Sequence, residues 1–459
     1  MQKTEFLRSF GDAIRRRRAA VFVGAGVSKN SGFPSWDELV APLKHAADVP
    51  SSVQDPTLAA EYALQELDMN QVERLLLEEL NGFTPTPNNV LDQLLSIDFA
   101  EIWTTNFDTL IEDTFQGIEL VVKDDDYEHT APSNGRRLTK LHGSLGTDQS
   151  GNVSWRDHPV ITRSDFETFE RDHPLKWAML RAQFLTSSFL FLGFSFSDPN
   201  VGALLRIVRS LPPQIRRLPH FAVMKAPGEP DKRREFELFG RDLAASGVYV
   251  IEVGDYDEIP ELLQGLARNA LPPNLFVAGR VDSGSEAAAI CTALGAALTG
   301  FSDELTLMSF DGPAARAVNS AYKTSLRPEK YQPERIRTYY RQSPEGNEEI
   351  TVQRFGTAVF TEKNLEDMRA EVFTQVRVLV LIGTGDRAME EAELALKNEI
   401  PVIPLAHSGE TARSVWERGP ESCGFDHSDA AHEWSLLESG EPGISTNAVT
   451  QLLKLVALH

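Results

Sequence analysis

The chain has little cysteine. Only Cys291 and Cys423 occur among its 459 residues, and they stand far apart in the sequence. Two such residues cannot form a disulfide framework or a cysteine zinc site, and the histidines do not cluster either. The composition therefore predicts neither structural disulfides nor a bound metal.

Long apolar runs and a surplus of basic charge are also missing. No segment reaches the roughly 18 consecutive apolar residues of a membrane span, and no apolar signal region opens the chain, so we expect a cytoplasmic protein. The 67 acidic and 45 basic side chains leave a net charge of −22. The one basic run, residues 15–18, ends the first amphipathic helix, where cations are favoured. Neither nucleic acid nor an anionic membrane is an expected partner.

The first part of the chain alternates short apolar runs with helical patterns. Runs bounded by Gly, Asn, His or Asp are typical of buried strands in a parallel sheet. The predicted strands are 19–23, 99–103, 138–141, 189–194, 221–224 and 248–253; helical periodicity covers 58–80 and 166–184, and 124–135 is a predicted loop.

The pattern starts again at Pro272–Pro273, which predicts one domain at 1–270 and a second at 275–459. Two domains also suit a chain of this length. In the second part we expect a helix opened by Ser283 or Ser285, a helix at 388–397, and strands at 275–278, 306–310, 350–355, 376–382 and 401–406. The predicted fold class is α/β, with two Rossmann-like domains, the first carrying helical insertions.

The first strand leads into a glycine turn, Gly24-Ala25-Gly26, that breaks the dinucleotide-binding pattern. The GxGxxG fingerprint requires a third glycine three positions after the second, where this chain has Lys29. A glycine turn at a helix start can approach a pyrophosphate with bare backbone N–H groups. The alternative is a tight strand-to-helix connection without a ligand.

Polar residues follow four of the predicted strands. Open parallel sheets bind ligands at the carboxyl ends of their strands, so we expect these residues to lie together. Taken singly, Asn106 could be a helix cap and His142 an exposed loop residue. The residues are Ser28 after the first strand, Asn106 and Asp108 after the second, His142, Gly143 and Ser144 after the third, and Gly193, Ser195, Asp198 and Asn200 after the fourth.

The order of these motifs resembles the sirtuins over about residues 1–270. The matching stretches are Gly24-Ala25-Gly26-Val27-Ser28, Gly32-Phe33-Pro34, Thr105-Asn106-Phe107-Asp108, His142-Gly143 and Gly193-Phe194-Ser195. Deacylating sirtuins carry a four-cysteine zinc ribbon after the histidine, whereas no cysteine lies between His142 and Gly193. With "PSW" at 34–36 and "GFSFSD" at 193–198, the chain looks more like bacterial sirtuin-like domains that hydrolyse NAD in antiphage defence.

The resemblance implies roles for individual residues. Asn106 would hold the nicotinamide ribose and orient the attacking water, and His142 would bond a ribose hydroxyl and act as general base. Asp108 would either bind nicotinamide or ribose, or hold the loop. Ser28 and Ser195 would bond the phosphates or the adenine ribose. The remaining NAD-binding residues would be Gly24, Ala25, Gly26, Gly193 and Asp198.

The second part repeats the arrangement with other residues. Gly279-Arg280 follows one predicted strand, and Gly383-Thr384-Gly385 follows another and precedes a helix with Arg387. Backbone donors and an arginine suit a phosphate-bearing ligand. Glu390 and Glu391 would accept ribose hydroxyls, or would simply be acids favoured near a helix N-terminus. The pattern resembles the SLOG family, whose members bind or process nucleotide derivatives.

A sirtuin-like NADase followed by a SLOG domain is the layout of the effectors of Thoeris antiphage defence. The resemblance implies a cyclic ADP-ribose isomer as activator, made by a partner protein with a TIR domain. It would bind at Gly279, Arg280, Gly383, Gly385, Arg387 and Glu391 and release NAD hydrolysis in a homotetramer or larger assembly. Two alternatives remain: an NAD-dependent protein-lysine deacylase and a non-catalytic nucleotide-binding regulator.

Overall fold

The computed structural model describes residues 3–82, 84–128, 135–147, 150, 152–196, 198–210, 218–341, 353–425 and 427–457. The chain divides into two compact units, Met1–Ala267 and Arg268–His459. Both are α/β, and each is built on its own parallel sheet.

The N-terminal unit contains a seven-stranded parallel sheet in the order β3-β4-β2-β1-β7-β8-β9, and a small antiparallel pair, β5-β6. All six predicted strands are confirmed. The edge strand β3 and the pair β5-β6 were missed, because three residues each are too few to show a periodicity. The strands are β1 (Ala19–Val23), β2 (Glu101–Thr104), β3 (Glu119–Val121), β4 (Arg137–Lys140), β5 (Leu145–Thr147), β6 (Val153–Trp155), β7 (Ser188–Leu192), β8 (His220–Lys225) and β9 (Val248–Val253).

Helices flank this sheet. The two long helical patterns are each broken once, since Asp68 caps a new helix through a reciprocal bond pair with Gln71 and Pro174 starts another directly after His173. The helices are α1 (Lys3–Arg15), α2 (Ala25–Lys29), α3 (Trp36–Ala46), α4 (Pro56–Glu66), α5 (Met69–Asn81), α6 (Asn89–Leu95), α7 (Leu110–Thr114), α8 (Arg163–Asp172), α9 (Pro174–Thr186), α10 (Pro199–Ser210), α11 (Pro230–Ala245) and α12 (Ile259–Ala270). The predicted loop 124–135 begins with a 3-10 turn, Asp124–Glu128, and its residues 129–134 lie outside the described part.

The C-terminal unit contains a six-stranded parallel sheet in the order β13-β12-β11-β10-β14-β15. Its strands are β10 (Asn274–Arg280), β11 (Thr306–Phe310), β12 (Ile336–Arg341), β13 (Thr357–Thr361), β14 (Val378–Gly383) and β15 (Val402–Leu405). Its helices are α13 (Glu286–Leu298), α14 (Pro313–Ser325), α15 (Leu365–Phe373), α16 (Asp386–Lys397), α17 (Glu410–Trp416), α18 (His427–Leu436) and α19 (Pro442–Val456). Ser285, not Ser283, caps α13.

The predicted strand 350–355 is wrong at its described residues. Residues 350–352 lie outside the described part, and 353–355 belong to no strand. The backbone N–H groups of Gln353 and Gly356 donate to the hydroxyls of Tyr340 and Tyr331 instead of a strand ladder. The strands here are β12 and β13, on either side of the predicted one.

Each sheet has a point where the chain passes from one side of the sheet's first strand to the other. The chain leaves β1 toward β2 and returns on the other side at β7, and it leaves β10 toward β11 and returns at β14. The crevice outside the carboxyl ends at such a point is the usual ligand site of open α/β sheets. The glycine turns of both units lie at these points.

Candidate active site

The turn after β1 packs directly on the turn after β7. A Cβ at Gly24 would lie 2.5 Å from the carbonyl oxygen of Gly193, and a Cβ at Gly193 would lie 2.5 Å from the backbone nitrogen of Val27. Gly193 also has φ +63, a region that favours glycine. The N–H groups of Gly24 and Gly26 donate to the carbonyls of Leu192 and Gly193. The N–H groups of Gly24 and Gly26 are thus paired within the protein, and the absence of side chains at these two positions allows the loops to pack closely.

Asn106 follows β2 and lies buried against the first turn. Its Nδ2 donates to Oγ of Ser28 at 2.9 Å, and its backbone N–H donates to Oγ1 of Thr104 at 3.0 Å. It does not cap α7, whose N-cap is Thr109. Its Oδ1 is buried without a hydrogen-bond partner in the described residues. Buried polar atoms are almost always paired in native proteins, so this oxygen is suited to a hydroxyl donor from a ligand or water.

A buried lysine holds the loop that carries Asn106. Lys140, the last residue of β4, donates from Nζ to the backbone oxygens of Phe107 and Asp108, and pairs with Oε1 of Glu112 at 2.9 Å. Asp108 is buried, and its Oδ1 accepts the N–H of Leu110 at 3.1 Å. We expected Asp108 either to bind nicotinamide or ribose or to hold the loop, and this contact corresponds to holding the loop. Sequence reasoning missed Lys140, although a lysine inside an apolar run is an available signal.

His142 lies two residues beyond β4 and is only 3% exposed, so the exposed-loop alternative is wrong. Its ring meets Phe166 edge to face at 4.9 Å. Burial lowers the pKa of His142 below its usual value, the nearby Asp198 opposes the shift, and Lys176 adds to it. A lowered pKa keeps the imidazole neutral near pH 7, the form that accepts a proton.

The glycine after His142 has a structural role. Gly143 has φ +98, and a Cβ there would lie 2.9 Å from the carbonyl oxygen of His158. The carbonyl of His142 itself accepts the N–H of Val160 at 2.9 Å. The segment before α8 therefore packs closely against residues 142 and 143, and its hydrogen bond fixes the backbone of His142.

A second buried lysine supports the same strand end. Nζ of Lys176, on α9, donates to the carbonyls of Val122 at 2.8 Å and Leu141 at 3.3 Å. Burial lowers the pKa of Lys176 to about 8. The lysine thus fixes the carbonyl that precedes His142, a role that the sequence alone did not indicate.

Asp198 faces His142 from the start of α10. Its Oδ2 lies 3.3 Å from Nε2 of His142, while its Oδ1 accepts the N–H groups of Asn200 and Val201. The approach to Nε2 is not aligned as a hydrogen bond, and Nε2 has no other partner in the described residues. The structure therefore places Asp198 beside the histidine, whereas Ser195 is exposed.

The strand ends of the N-terminal unit do come together. Ser28 contacts Asn106, the Gly24 turn contacts Gly193, and His142 contacts Asp198. A bond from the N–H of Leu145 to the carbonyl of Phe107 joins the loops after β4 and β2. The arrangement presents an amide oxygen and a neutral imidazole, both buried, at one edge of a parallel sheet.

The glycine turns of the C-terminal unit pack in the same way. A Cβ at Gly279 would lie 1.7 Å from the carbonyl oxygen of Ile382, and one at Gly383 would lie 2.0 Å from that of Arg280. The N–H groups of Gly383 and Gly385 donate to the hydroxyls of Ser408 and Thr411. The side chain of Arg280 is exposed at this edge.

The two glutamates of α16 that the sequence singled out, Glu390 and Glu391, are paired with arginines. Glu391 is buried, with Oε1 at 3.1 Å from Nε of Arg387 and 3.9 Å from Nη2 of Arg369, and burial raises its pKa. The exposed Glu390 lies 2.7 Å from Nη1 of Arg369. Arg369 was not among the predicted residues, because α15 is distant in sequence.

The described residues hold no group of three or more His, Cys, Asp or Glu side chains that could bind a metal ion. Both cysteines are buried, and burial raises the pKa of Cys291 to about 12 and of Cys423 to about 11. Among the helices described, none is long and apolar enough to cross a membrane.

Fold and site together define an α/β unit with buried polar side chains at the strand-order reversal of a parallel sheet, and known proteins resemble it. Residues 100–244 match the family model of the SIR2-like domain. The chain is 28% identical over 301 residues to an NAD(+) hydrolase ThsA of Enterococcus faecium, covering 61% of each chain. It is 27% identical over 286 residues to an NAD(+) hydrolase ThsA of Bacillus cereus (strain MSX-D12), covering 60% of this chain and 59% of that one.

A more distant relative is the defense-associated sirtuin 2 of Bacillus subtilis, 24% identical over 215 residues, which are 45% of this chain and 21% of that protein. The chain thus matches about three fifths of the ThsA proteins and a smaller share of this sirtuin. The predicted resemblance to sirtuin-like NADases of the ThsA type is confirmed.

Proposed function

We propose that the protein is an NAD+ hydrolase that releases nicotinamide and ADP-ribose and acts in antiphage defence by depleting NAD. The names of the relatives support this activity. The observation that carries it is the buried Oδ1 of Asn106, which has no hydrogen-bond partner among the described residues and belongs to an amide that Ser28 holds through Nδ2.

The chemistry requires little of the protein beyond positioning and a base. Loss of nicotinamide leaves an oxocarbenium-like ribose, which gains from oriented dipoles and a placed nucleophile. With one Nδ2 hydrogen directed to Ser28, the amide of Asn106 presents its oxygen, which has no partner among the described residues, to a ribose hydroxyl or to the attacking water. Neutral His142 takes the proton, and Lys140 and Lys176 hold the two loops in place.

Regulation by a second nucleotide is part of the proposal. A cyclic ADP-ribose isomer, made by a TIR-domain partner, would bind at the strand-order reversal of the C-terminal unit, which we propose to be a SLOG domain. The exposed Arg280 and the Arg387–Glu391 pair at the start of α16 support this site. The working form would be a homotetramer or larger assembly in the cytoplasm.

Product analysis separates the proposal from its alternatives. The full chain is incubated with NAD, with and without an acyl-lysine peptide, in the presence of cyclic ADP-ribose isomers. A hydrolase forms ADP-ribose and nicotinamide in equal amounts without peptide. Acylated ADP-ribose formed only with peptide would establish a deacylase, and unchanged NAD in every mixture would leave the non-catalytic regulator.

A further inference from the structure

Three residues in the motifs after β2, β4 and β7 carry a buried polar atom that has no hydrogen-bond partner in the described part of the chain. The atoms are Oδ1 of Asn106, Nε2 of His142 and Nδ2 of Asn200. The first two belong to the proposed catalytic pair. The third belongs to a side chain that no role described above requires.

Asn200 and the proposed catalytic histidine both contact the carboxylate of Asp198. It is the second residue of α10 and is 6% exposed. Its backbone N–H donates to Oδ1 of Asp198 at 2.8 Å, and the other oxygen of Asp198 lies 3.3 Å from Nε2 of His142. The following residue, Val201, is fully buried in the core, so the first turn of α10 is firmly seated.

An unpaired amide donor in this position lowers stability. A buried N–H without an acceptor loses its hydration and gains nothing in return, and an apolar side chain of similar size avoids that loss. Ligand-binding sites commonly retain such groups because the ligand completes them. The carboxylate of Asp198 on the same turn disfavours a phosphate here, so the acceptor is an uncharged oxygen.

We propose that Asn200 is a further substrate-binding residue, whose Nδ2 donates to a ribose hydroxyl oxygen of the dinucleotide. The inference rests on the proposed function, since it assigns a contact within that same site. Asn106 then supplies an acceptor to the ribose and Asn200 supplies a donor, while His142 lies 3.3 Å from Asp198, the residue that also binds the backbone of Asn200.

Binding and stability measured together test the assignment in the full chain. The probe is carba-NAD, an uncleavable NAD analogue, titrated calorimetrically. Asn200→Leu should melt at or above the wild-type temperature, yet bind the analogue about 3- to 10-fold more weakly, the effect of losing one hydrogen bond. Asn200→Asp, which keeps the shape and removes the donor, should also bind more weakly.

Asn319 provides a matched control. It is a fully buried asparagine of the C-terminal unit whose Oδ1 also lacks a partner in the described residues. Asn319→Leu should leave affinity for carba-NAD unchanged. Wild-type affinity in both Asn200 variants, with weaker binding by Asn106→Ala, would overturn the role of Asn200 and leave the hydrolase proposal intact. No binding by the wild type and no nicotinamide release would overturn the hydrolase proposal itself.

Discussion

Asn106 and His142 are buried in a way that leaves one hydrogen-bonding atom of each unpaired within the described structure. If water attack depends on both, Asn106→Ala and His142→Ala should each reduce nicotinamide release by roughly 100- to 10,000-fold, the usual contribution of an acid–base group. Circular dichroism should show that both variants stay folded. Activity within threefold of wild type in either folded variant would contradict its assignment.

His220 should make the N-terminal unit sensitive to acid. It stacks on Phe184 at 4.1 Å, its Nδ1 accepts the N–H of Phe189, and burial lowers its pKa to about 3. The unfolded value is about 6.5, so the stability that depends on neutral His220 is complete above pH 6.5 and is lost as pH falls toward 3. The loss is up to about 1.4 kcal/mol per pH unit.

The matching variant is His220→Leu, which cannot titrate. Its free energy of unfolding at pH 7 should be lower by about 1–3 kcal/mol, because the N–H of Phe189 loses its acceptor. Between pH 6.5 and 5 the free energy of unfolding of the variant, measured by urea denaturation, should fall less steeply than that of the wild type. Parallel slopes for the two proteins would show that His220 does not govern the acid sensitivity.

The sequence identified Asn106 and His142 because both directly follow apolar runs that form adjacent strands. It did not identify Lys140, Lys176 or the contact of Asp198 with His142. Those contacts depend on how the loop after β2 and the helices α9 and α10 lie against the strand ends, which the periodicity of the sequence does not indicate.

At the scale of elements, the junction of β1 and β7 depends on having no side chain. Gly193→Ala should place a Cβ 2.5 Å from the backbone nitrogen of Val27 in a conformation with φ +63. We expect a lower melting temperature and loss of nicotinamide release, since the loops that carry Ser28 and Asp198 must separate.

Gly202→Ala is the control for that change. Gly202 lies inside α10, where the nearest atom to an added Cβ is Nη1 of Arg206 at 3.8 Å. The substitution should raise stability by roughly 0.5–1 kcal/mol, since alanine is the better helix former. An equal fall in melting temperature for both variants would refute the close-packing account of Gly193.

Strands and helices were predicted best where apolar runs were long and uniform. β1, β7 and β9 were found with nearly correct ends, whereas 58–80 and 166–184 each proved to be two helices. Single residues, a helix cap at Asp68 and a proline at Pro174, divide each pattern into two helices, and a periodicity taken over the whole segment does not show such a break. The described residues 353–355 of the predicted strand 350–355 form no strand, and the N–H groups of Gln353 and Gly356 bind the hydroxyls of Tyr340 and Tyr331, which no local pattern indicates.

At the scale of the whole molecule, the proposal requires that the C-terminal unit control the hydrolase. A ligand shifts such an equilibrium only through its different affinities for the two states. Arg280→Ala and Glu391→Gln should therefore raise the activator concentration for half-maximal activity at least several-fold, with full activity at saturation. Titration of cyclic ADP-ribose isomers into NADase assays measures this.

Lys363→Ala, at an exposed ion pair with Glu371 of the same unit, is the control and should leave the activator concentration unchanged. Unaltered activation in both Arg280→Ala and Glu391→Gln would place the activator site elsewhere. Calorimetric titration of the same isomers into the full-length variants should show the corresponding loss of affinity.

The most direct test of the central claim is the time course of free nicotinamide when the purified full chain is mixed with NAD and each cyclic ADP-ribose isomer in turn. The account predicts rapid, stoichiometric release of nicotinamide with at least one isomer and little without it. The same mixture containing Asn106→Ala should show no release above background. Wild-type protein that leaves NAD intact with every isomer, or an Asn106→Ala variant as active as wild type, would contradict the account.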